Sequence, residues 1–234
     1  EDSKYFQLAI EKYRYGMSLN SNFTPFLYGL ATCYYEIAEQ NNDRKALEQA
    51  LHYFGKLNDL NASVLPSQFW IDWGIALMAY GQATQQRQYL ESGADKFEYA
   101  IMIHRGETDH DIVFLDALFN YGSALDILGD FNDDPSYYEK AIQLLSNVCQ
   151  AQPDNYEARH SLGLALVHLG EFVSDVELIR KGCEHFEMLV NEEPEDDIVW
   201  NDWGAALLNL AQLLNDPSCP NVAESRSEER RVGK

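Results

Sequence analysis

Asp72-Trp73-Gly74-Ile75-Ala76-Leu77 returns later in the chain as Asp202-Trp203-Gly204-Ala205-Ala206-Leu207. Three looser copies stand beside them: Leu27-Tyr28-Gly29-Leu30-Ala31, Asn120-Tyr121-Gly122-Ser123-Ala124-Leu125 and Ser161-Leu162-Gly163-Leu164-Ala165-Leu166. Each puts an aromatic residue or Leu before a Gly and small or apolar residues after it. The glycines are 45, 48, 41 and 41 residues apart, and recurrence at such a period is the mark of a repeat array. Between these segments lies a second set, residues 46–57, 93–103, 137–148 and 177–190, with apolar residues at helical spacing. Residues 2–19, with Ala9 and Tyr13, read as one more of this second type.

Each unit is thus a helix A carrying the Gly and a helix B carrying a small residue. A Gly inside a helix costs about 1 kcal/mol against Ala, so a close contact with a neighbouring backbone must outweigh that loss. Helix B mirrors the device with Ala50, Gly93, Ala141 and Gly182. Four residues on, one turn up the same face, come Phe54, Phe97, Leu145 and Phe186. Start signals agree. Asn132-Asp133-Asp134-Pro135 caps one helix B, and Asn215-Asp216-Pro217-Ser218 repeats it at the same distance, 13 residues, from its Gly. Asp43 and either Ser174 or Asp175 serve the other B helices, and residues 152–155 and 192–197 read as turns from B to A. No segment alternates with period two for long, so no sheet is expected.

The pattern resembles the tetratricopeptide repeat, whose unit of about 34 residues carries W-x-x-L-G-x-x-Y in helix A and then Ala, Phe, Ala and Pro. Leu118, Tyr121, Gly122, Leu125, Ala141, Leu145, Val148 and Pro153 take those places in one unit. Leu162, Gly163, Leu166, Gly182, Phe186, Leu189 and Pro194 do so in the next. The resemblance implies an all-α superhelix of antiparallel helix pairs over residues 1–225, four complete pairs with partial units at both ends. The unit here is a long variant of about 41 residues. From the Gly of helix A to the small residue of helix B is 19 in three units and 21 in the first. The added length, about two helical turns, keeps the apolar stripe in register.

The resemblance also implies that helix A lines a concave groove. The positions it points to are Phe26, Leu30, Tyr34, Ile71, Ile75, Met78, Phe119, Ser123, Asp126, Glu157, His160, Leu164, His168, Asn201, Ala205 and Asn209. Outside the last nine residues only Arg159, of 13 basic residues, falls in a helix A. Such a groove lacks the cations with which chaperone-binding members clamp a terminal carboxylate. It suits an apolar, neutral-to-basic segment of a partner protein, laid in as an extended peptide or a helix. Acids near His160 and His168 favour protonated rings, so capture of a basic partner should weaken between about pH 7.5 and 5.5.

The whole chain sets outer bounds. Its formal charge is −21, with 38 acidic and 17 basic residues, a balance that disfavours nucleic acid and anionic membrane as partners. No stretch approaches the roughly 20 apolar residues of a membrane span. Cys33, Cys149, Cys183 and Cys219 are far apart, as expected of scattered thiols in a reducing compartment rather than of a metal or redox site. The His104-to-Asp111 loop has metal-like residue types on one loop only, and Thr108 or Asp109 as a helix cap accounts for it. His160 and His168, eight apart on one helix, complete no zinc motif. Trp70, Trp73, Trp200 and Trp203, flanking the repeat's Gly, read as core. No catalytic constellation and no cofactor are expected.

Residues 226–234, RSEERRVGK, break with the repeat and match the translation of a common sequencing-library adapter. They are set outside the fold as an artefactual tail, and the chain, opening inside a helix, reads as a fragment. Residues 198–214 then form helix A of a fifth unit whose leucine and tryptophan strip should self-associate or fray. The expected function is a cytoplasmic, bacterial protein-binding scaffold. The alternative is the regulatory arm of a larger enzyme.

Overall fold

The computed structural model describes residues 2–21, 23–61, 65–104 and 111–215. They form ten helices: α1 (Asp2–Leu19), α2 (Thr24–Asn41), α3 (Arg44–Asn61), α4 (Ser67–Thr84), α5 (Arg87–His104), α6 (Ile112–Asn132), α7 (Pro135–Ala151), α8 (Tyr156–Val173), α9 (Val176–Glu192) and α10 (Asp197–Asn215). No strand occurs among the described residues. Even-numbered helices are of type A and odd-numbered ones of type B, so the chain is all-α and built of stacked antiparallel pairs. The segment read as a fifth helix A, residues 198–214, is α10. Residues 216–234, including Cys219, the Asp216-Pro217-Ser218 signal and the adapter-like tail, lie outside the described residues.

The chain divides into two compact units, residues 1–120 and 121–234. In the first, α2 packs closely on α3 and α4 on α5, with α1 laid against α2. In the second, α8 packs closely on α9, and α7 and α10 flank that pair. The small residues sit where the close approach is tightest. A Cβ built on Gly93 would lie 3.0 Å from the carbonyl oxygen of Gly74, and one on Gly182 would lie 2.7 Å from that of Gly163. The large residue one turn on fills the space above the opposing Gly: Phe97 over Gly74, Leu145 over Gly122 and Phe186 over Gly163. Phe54, Phe69, Phe97 and Phe186 are fully buried, each contributing roughly 1.5–3 kcal/mol by leaving water. Gly29 differs, because the ring that covers it is Tyr13 of α1.

Each A-to-B turn is two residues long. The first is left-handed, at Asn42, Gln85, Asp133 and Ser174, with φ between 51° and 56°. In three of the four the second caps helix B. Asp43 accepts from the N–H groups of Lys45 and Ala46, Asp134 from Ser136 and Asp175 from Glu177. Of the two candidates before α9, then, Asp175 is the cap and Ser174 ends α8. Before α6 the cap is Asp111, accepting from Val113 N–H at 2.8 Å; Thr108 and Asp109 lie outside the described residues.

Two expectations need correction. One helix, Ile112–Asn132, is long and apolar enough to cross a membrane by length and composition. More than half of it is buried in the fold, and it carries Asp116, Asp126 and Asp130, as a core helix of type A would. The tryptophans also divide. Trp70 is buried, Trp73 and Trp203 are half-buried, and Trp200 remains 46% exposed.

Candidate protein-binding face

The A helices of each unit are joined side to side by polar residues, and these joints decide what their common face can offer. In the first unit Asp72 of α4 accepts from Tyr28 Oη of α2 and from Gln68 Nε2, the latter at 2.7 Å. Burial first, then the bond and the charge of Asp72, push the Tyr28 pKa well above its ordinary value. In the second unit Ser123 of α6 meets Ser161 of α8 at 3.4 Å, and His160 Nε2 of α8 lies 2.9 Å from Asp202 of α10. Asp72, Ser161 and Asp202 all stand two residues before the Gly of their helix. That position reaches back to the preceding helix A. It was visible in the Asp-Trp-Gly motif, but its direction was not.

His168 turns the other way. Its Nδ1 lies 2.9 Å from Asp126 Oδ1 of α6. Eight residues are about 2.2 turns, so His160 and His168 diverge by roughly 80° around α8, enough to serve opposite neighbours. Burial opposes a charge on His168. The hydrogen bond and charge of Asp126, helped by Asp130 and Glu171, outweigh it and raise the ring's pKa to about 9. Burial pushes Asp126 upward while His168 pulls it back. The ring is therefore cationic throughout the neutral range, which removes the expected titration of His168 between pH 7.5 and 5.5. Nearer the helix ends, Asn209 Nδ2 donates to Glu171, beside a pocket of about 360 Å³ completed by Gln212 and Leu213.

Of the sequence-derived positions, Leu30 and Ile71 have no exposed surface, and Met78 and Asp126 are 8% and 7% exposed. Leu30 belongs to the core between α1 and α2, with Ile10 and Cys33, and Met78 lies against Gly93 of α5. These four hold helices together and offer a partner nothing. Tyr34 is half spent as well: it stacks on Tyr53 of α3 at 5.8 Å and 8°, and Arg14 of α1 donates to its hydroxyl at 2.5 Å. It borders a pocket of about 440 Å³ lined by Ile10, Ile37, Lys45 and Gln49. Phe26, Ile75, Phe119, Ser123, His160, Leu164, His168 and Asn209 keep part of their surface. Glu157, Asn201 and Ala205 are exposed.

Arg159 is bound at both terminal nitrogens by Glu192, at 2.6 and 2.5 Å. Cys33 and Cys183 are buried and Cys149 is partly so; burial raises all three thiol pKa values, which suppresses the reactive thiolate. Among the described residues no group of three or more His, Cys, Asp or Glu side chains is placed to hold a metal ion. His104 and Asp111 lie 3.7 Å apart, and residues 105–110 between them lie outside the described residues.

No family model and no curated protein matches the chain. Solved structures do. The crystal structure of the MamA protein is 19% identical, covering 82% of this chain and 85% of that one, with a TM-score of 0.57. TTC0263, a thermophilic TPR protein in Thermus thermophilus, is 15% identical, with coverages of 87% and 91% and a TM-score of 0.56. YrrB, a TPR protein with an unusual peptide-binding site, is 15% identical, with coverages of 93% and 99% and a TM-score of 0.53. The likeness is one of fold, and the fold is a tetratricopeptide-like α-solenoid.

Proposed function

We propose that the chain is a non-catalytic protein-binding scaffold of the long-period tetratricopeptide type, and that the A-helix face of its second unit receives a cationic, partly apolar segment of another protein. The carrying observation is the state of the charges on that face. Its one guanidinium, Arg159, is held by Glu192, and His160 and His168 are each matched to an aspartate. Glu157 is exposed, and the overall excess of acid is large. A carboxylate approaching this surface finds no uncommitted cation, whereas an ammonium or guanidinium group finds the exposed carboxylate of Glu157. That YrrB has a peptide-binding site supports the use of this fold for such a purpose.

The test is a titration of the intact chain with fluorescent peptides of matched length and apolar content, basic, neutral and acidic. The basic peptide should bind at least tenfold more tightly than the acidic one. Asn201→Lys with Ala205→Lys, both at exposed positions, should remove that preference while helicity is unchanged. Equal affinity for all three peptides, or a preference that survives the double substitution, overturns the assignment.

A further inference from the structure

The left-handed residues that follow four of the A helices, Asn42, Gln85, Asp133 and Ser174, mark the same point in each A-to-B turn. Two places before them stand Gln40, Ala83, Phe131 and Phe172. The fold therefore requires no large ring there, yet the second unit has one on two successive A helices. Both rings stay open to solvent, Phe131 at 37% and Phe172 at 41%, with Val173 beside them at 45%. They belong to α6 and α8, which further described helices follow, and α9, the pair-mate of α8, is in place.

The edge so formed is supported from beneath. Helices α6 and α8 meet side by side through Ser123–Ser161 and Asp126–His168. They thus run parallel, and their ends lie together at the roughly 8–10 Å spacing of packed helices. Phe172, four residues past His168 and eleven past Ser161, is on the side of α8 that faces α6. Its ring packs on that of Tyr138 of α7, with centroids 6.2 Å apart. Tyr138 is buried, lies over Gly129 and donates to Asp130 Oδ1 at 2.5 Å. Around the rings the charge has one sign. Residues 130–139 carry four acids and residues 171–179 carry three, with no Lys or Arg in either stretch. Asp130, Asp133, Glu139 and Glu177 are exposed. The cations nearest in sequence are answered: His168 by Asp126 and Arg180 by Glu177, the latter at 3.7 Å.

We propose that this edge, Phe131, Phe172 and Val173 at the A-to-B turns of the second unit, docks a cationic segment of another protein that carries two large apolar residues. Residues seven apart on a helix are separated by about 10.5 Å, close to the spacing of the two rings. The apolar pair covers the rings, and the basic residues around it meet the acids of the two turns. A second copy of this chain suits the edge poorly, since it brings 38 acidic and 17 basic residues to a surface already acidic. The edge lies at the C-terminal ends of the A helices. Glu157, Asn201 and Ala205 lie in the N-terminal halves of theirs, so the two surfaces stand or fall separately.

The test is fluorescence anisotropy of the intact chain with a Lys-rich helical peptide bearing two Leu seven residues apart. One control peptide has both Leu replaced by Ser, and another has Lys replaced by Glu. The first peptide should bind about tenfold more tightly than either control. Phe131→Ser with Phe172→Ser should weaken it by about tenfold. Asp133→Asn with Glu171→Gln, which leaves the rings intact, should weaken it by about threefold with circular dichroism unchanged. A photoreactive residue between the two Leu should cross-link to residues 130–138 or 171–176. Should the ring substitutions disturb the fold, the charge pair and the cross-links decide alone. Cross-links confined to the neighbourhood of Asn201 and Ala205, or an affinity that neither pair of substitutions moves, overturn the proposal and leave the A-helix face standing. Absence of binding also overturns it, as does a dimer of the chain that the ring substitutions dissociate, for then a second copy is the occupant.

Discussion

At Gly182 a single methyl group has nowhere to go. Its Cβ would stand 2.7 Å from the Gly163 carbonyl oxygen and 2.5 Å from Val167 Cγ2, and a helix backbone cannot yield as a side chain can. Gly182→Ala should therefore cost roughly 1–3 kcal/mol in spite of alanine's better helix propensity. Gly55, on α3, has nothing within 4 Å, so Gly55→Ala should stabilise by about 0.5–1 kcal/mol. Urea titrations of both variants should move in opposite directions, and a shared sign would show that close approach is not what retains Gly182. The His168–Asp126 pair gives a second prediction. The folded-state pKa of His168, about 9, lies above its unfolded value. Its stabilisation is thus complete below about pH 6.5 and is lost as pH rises through 9, an effect of roughly 2–3 kcal/mol. Thermal unfolding followed from pH 6.5 to 9.5 should show this loss in the unaltered chain and not in His168→Gln/Asp126→Asn. The glycines were legible in the sequence because their spacing is the repeat itself. The partners of the histidines were not. They lie 42 residues away along the chain, and which neighbour each ring meets depends on a rotation of α8 that no local pattern encodes.

The helix ends repeat more faithfully than the sequence suggests. The four A-to-B turns are Asn42-Asp43, Gln85-Gln86, Asp133-Asp134 and Ser174-Asp175, each a left-handed residue followed by the first residue of a cap. Asp in second place was readable as a cap. The left-handed residue was not, since Gln, Asp and Ser do not announce that conformation as Gly would. Similarly, the position of their Gly alone puts Leu30 and Ile71 on the groove, whereas both are buried in the core, Leu30 against Ile10 of α1 and Cys33. The second turn is the odd one, because Gln86 spends its side-chain oxygen on Gln88 Nε2 at 3.1 Å instead of capping α5. Gln86→Asp should restore the arrangement seen at Asp43, Asp134 and Asp175 and stabilise by about 1 kcal/mol. Gln85→Gly should relieve the left-handed backbone, whose φ is 54°, and add a similar amount. Melting temperatures of the single and double variants check both claims. A Gln86→Asp variant no more stable than the original would mean that this turn is already satisfied without a carboxylate.

Charge acts on the molecule as a whole. With 38 acidic and 17 basic residues, most carboxylates have no cation to answer them whatever the arrangement. The pairs that do form are mainly at the surface, such as Arg44–Glu48 at 3.4 Å and Arg87–Glu91 at 2.8 Å, and each contributes only about 0–1 kcal/mol. The remaining negative charges repel one another through water over distances that salt shortens, from about 30 Å at 0.01 M to about 8 Å at 0.15 M ionic strength. The folded chain gathers these charges more closely than the unfolded chain does, so screening should favour the fold. Sodium chloride raised from about 0.02 to 0.3 M should therefore lift the melting temperature by several degrees. The His168–Asp126 contribution should hardly change over that range, because both side chains are largely withdrawn from solvent, at 30% and 11% exposure. The same screening should weaken a basic peptide's association, since the attraction that brings it in is long-ranged. Calorimetry of the chain and peptide titration across one salt series separate the two effects, which must run in opposite directions. A melting temperature that falls as salt is added would mean that attractive surface pairs outweigh the repulsion, and that the excess of acid does not limit stability.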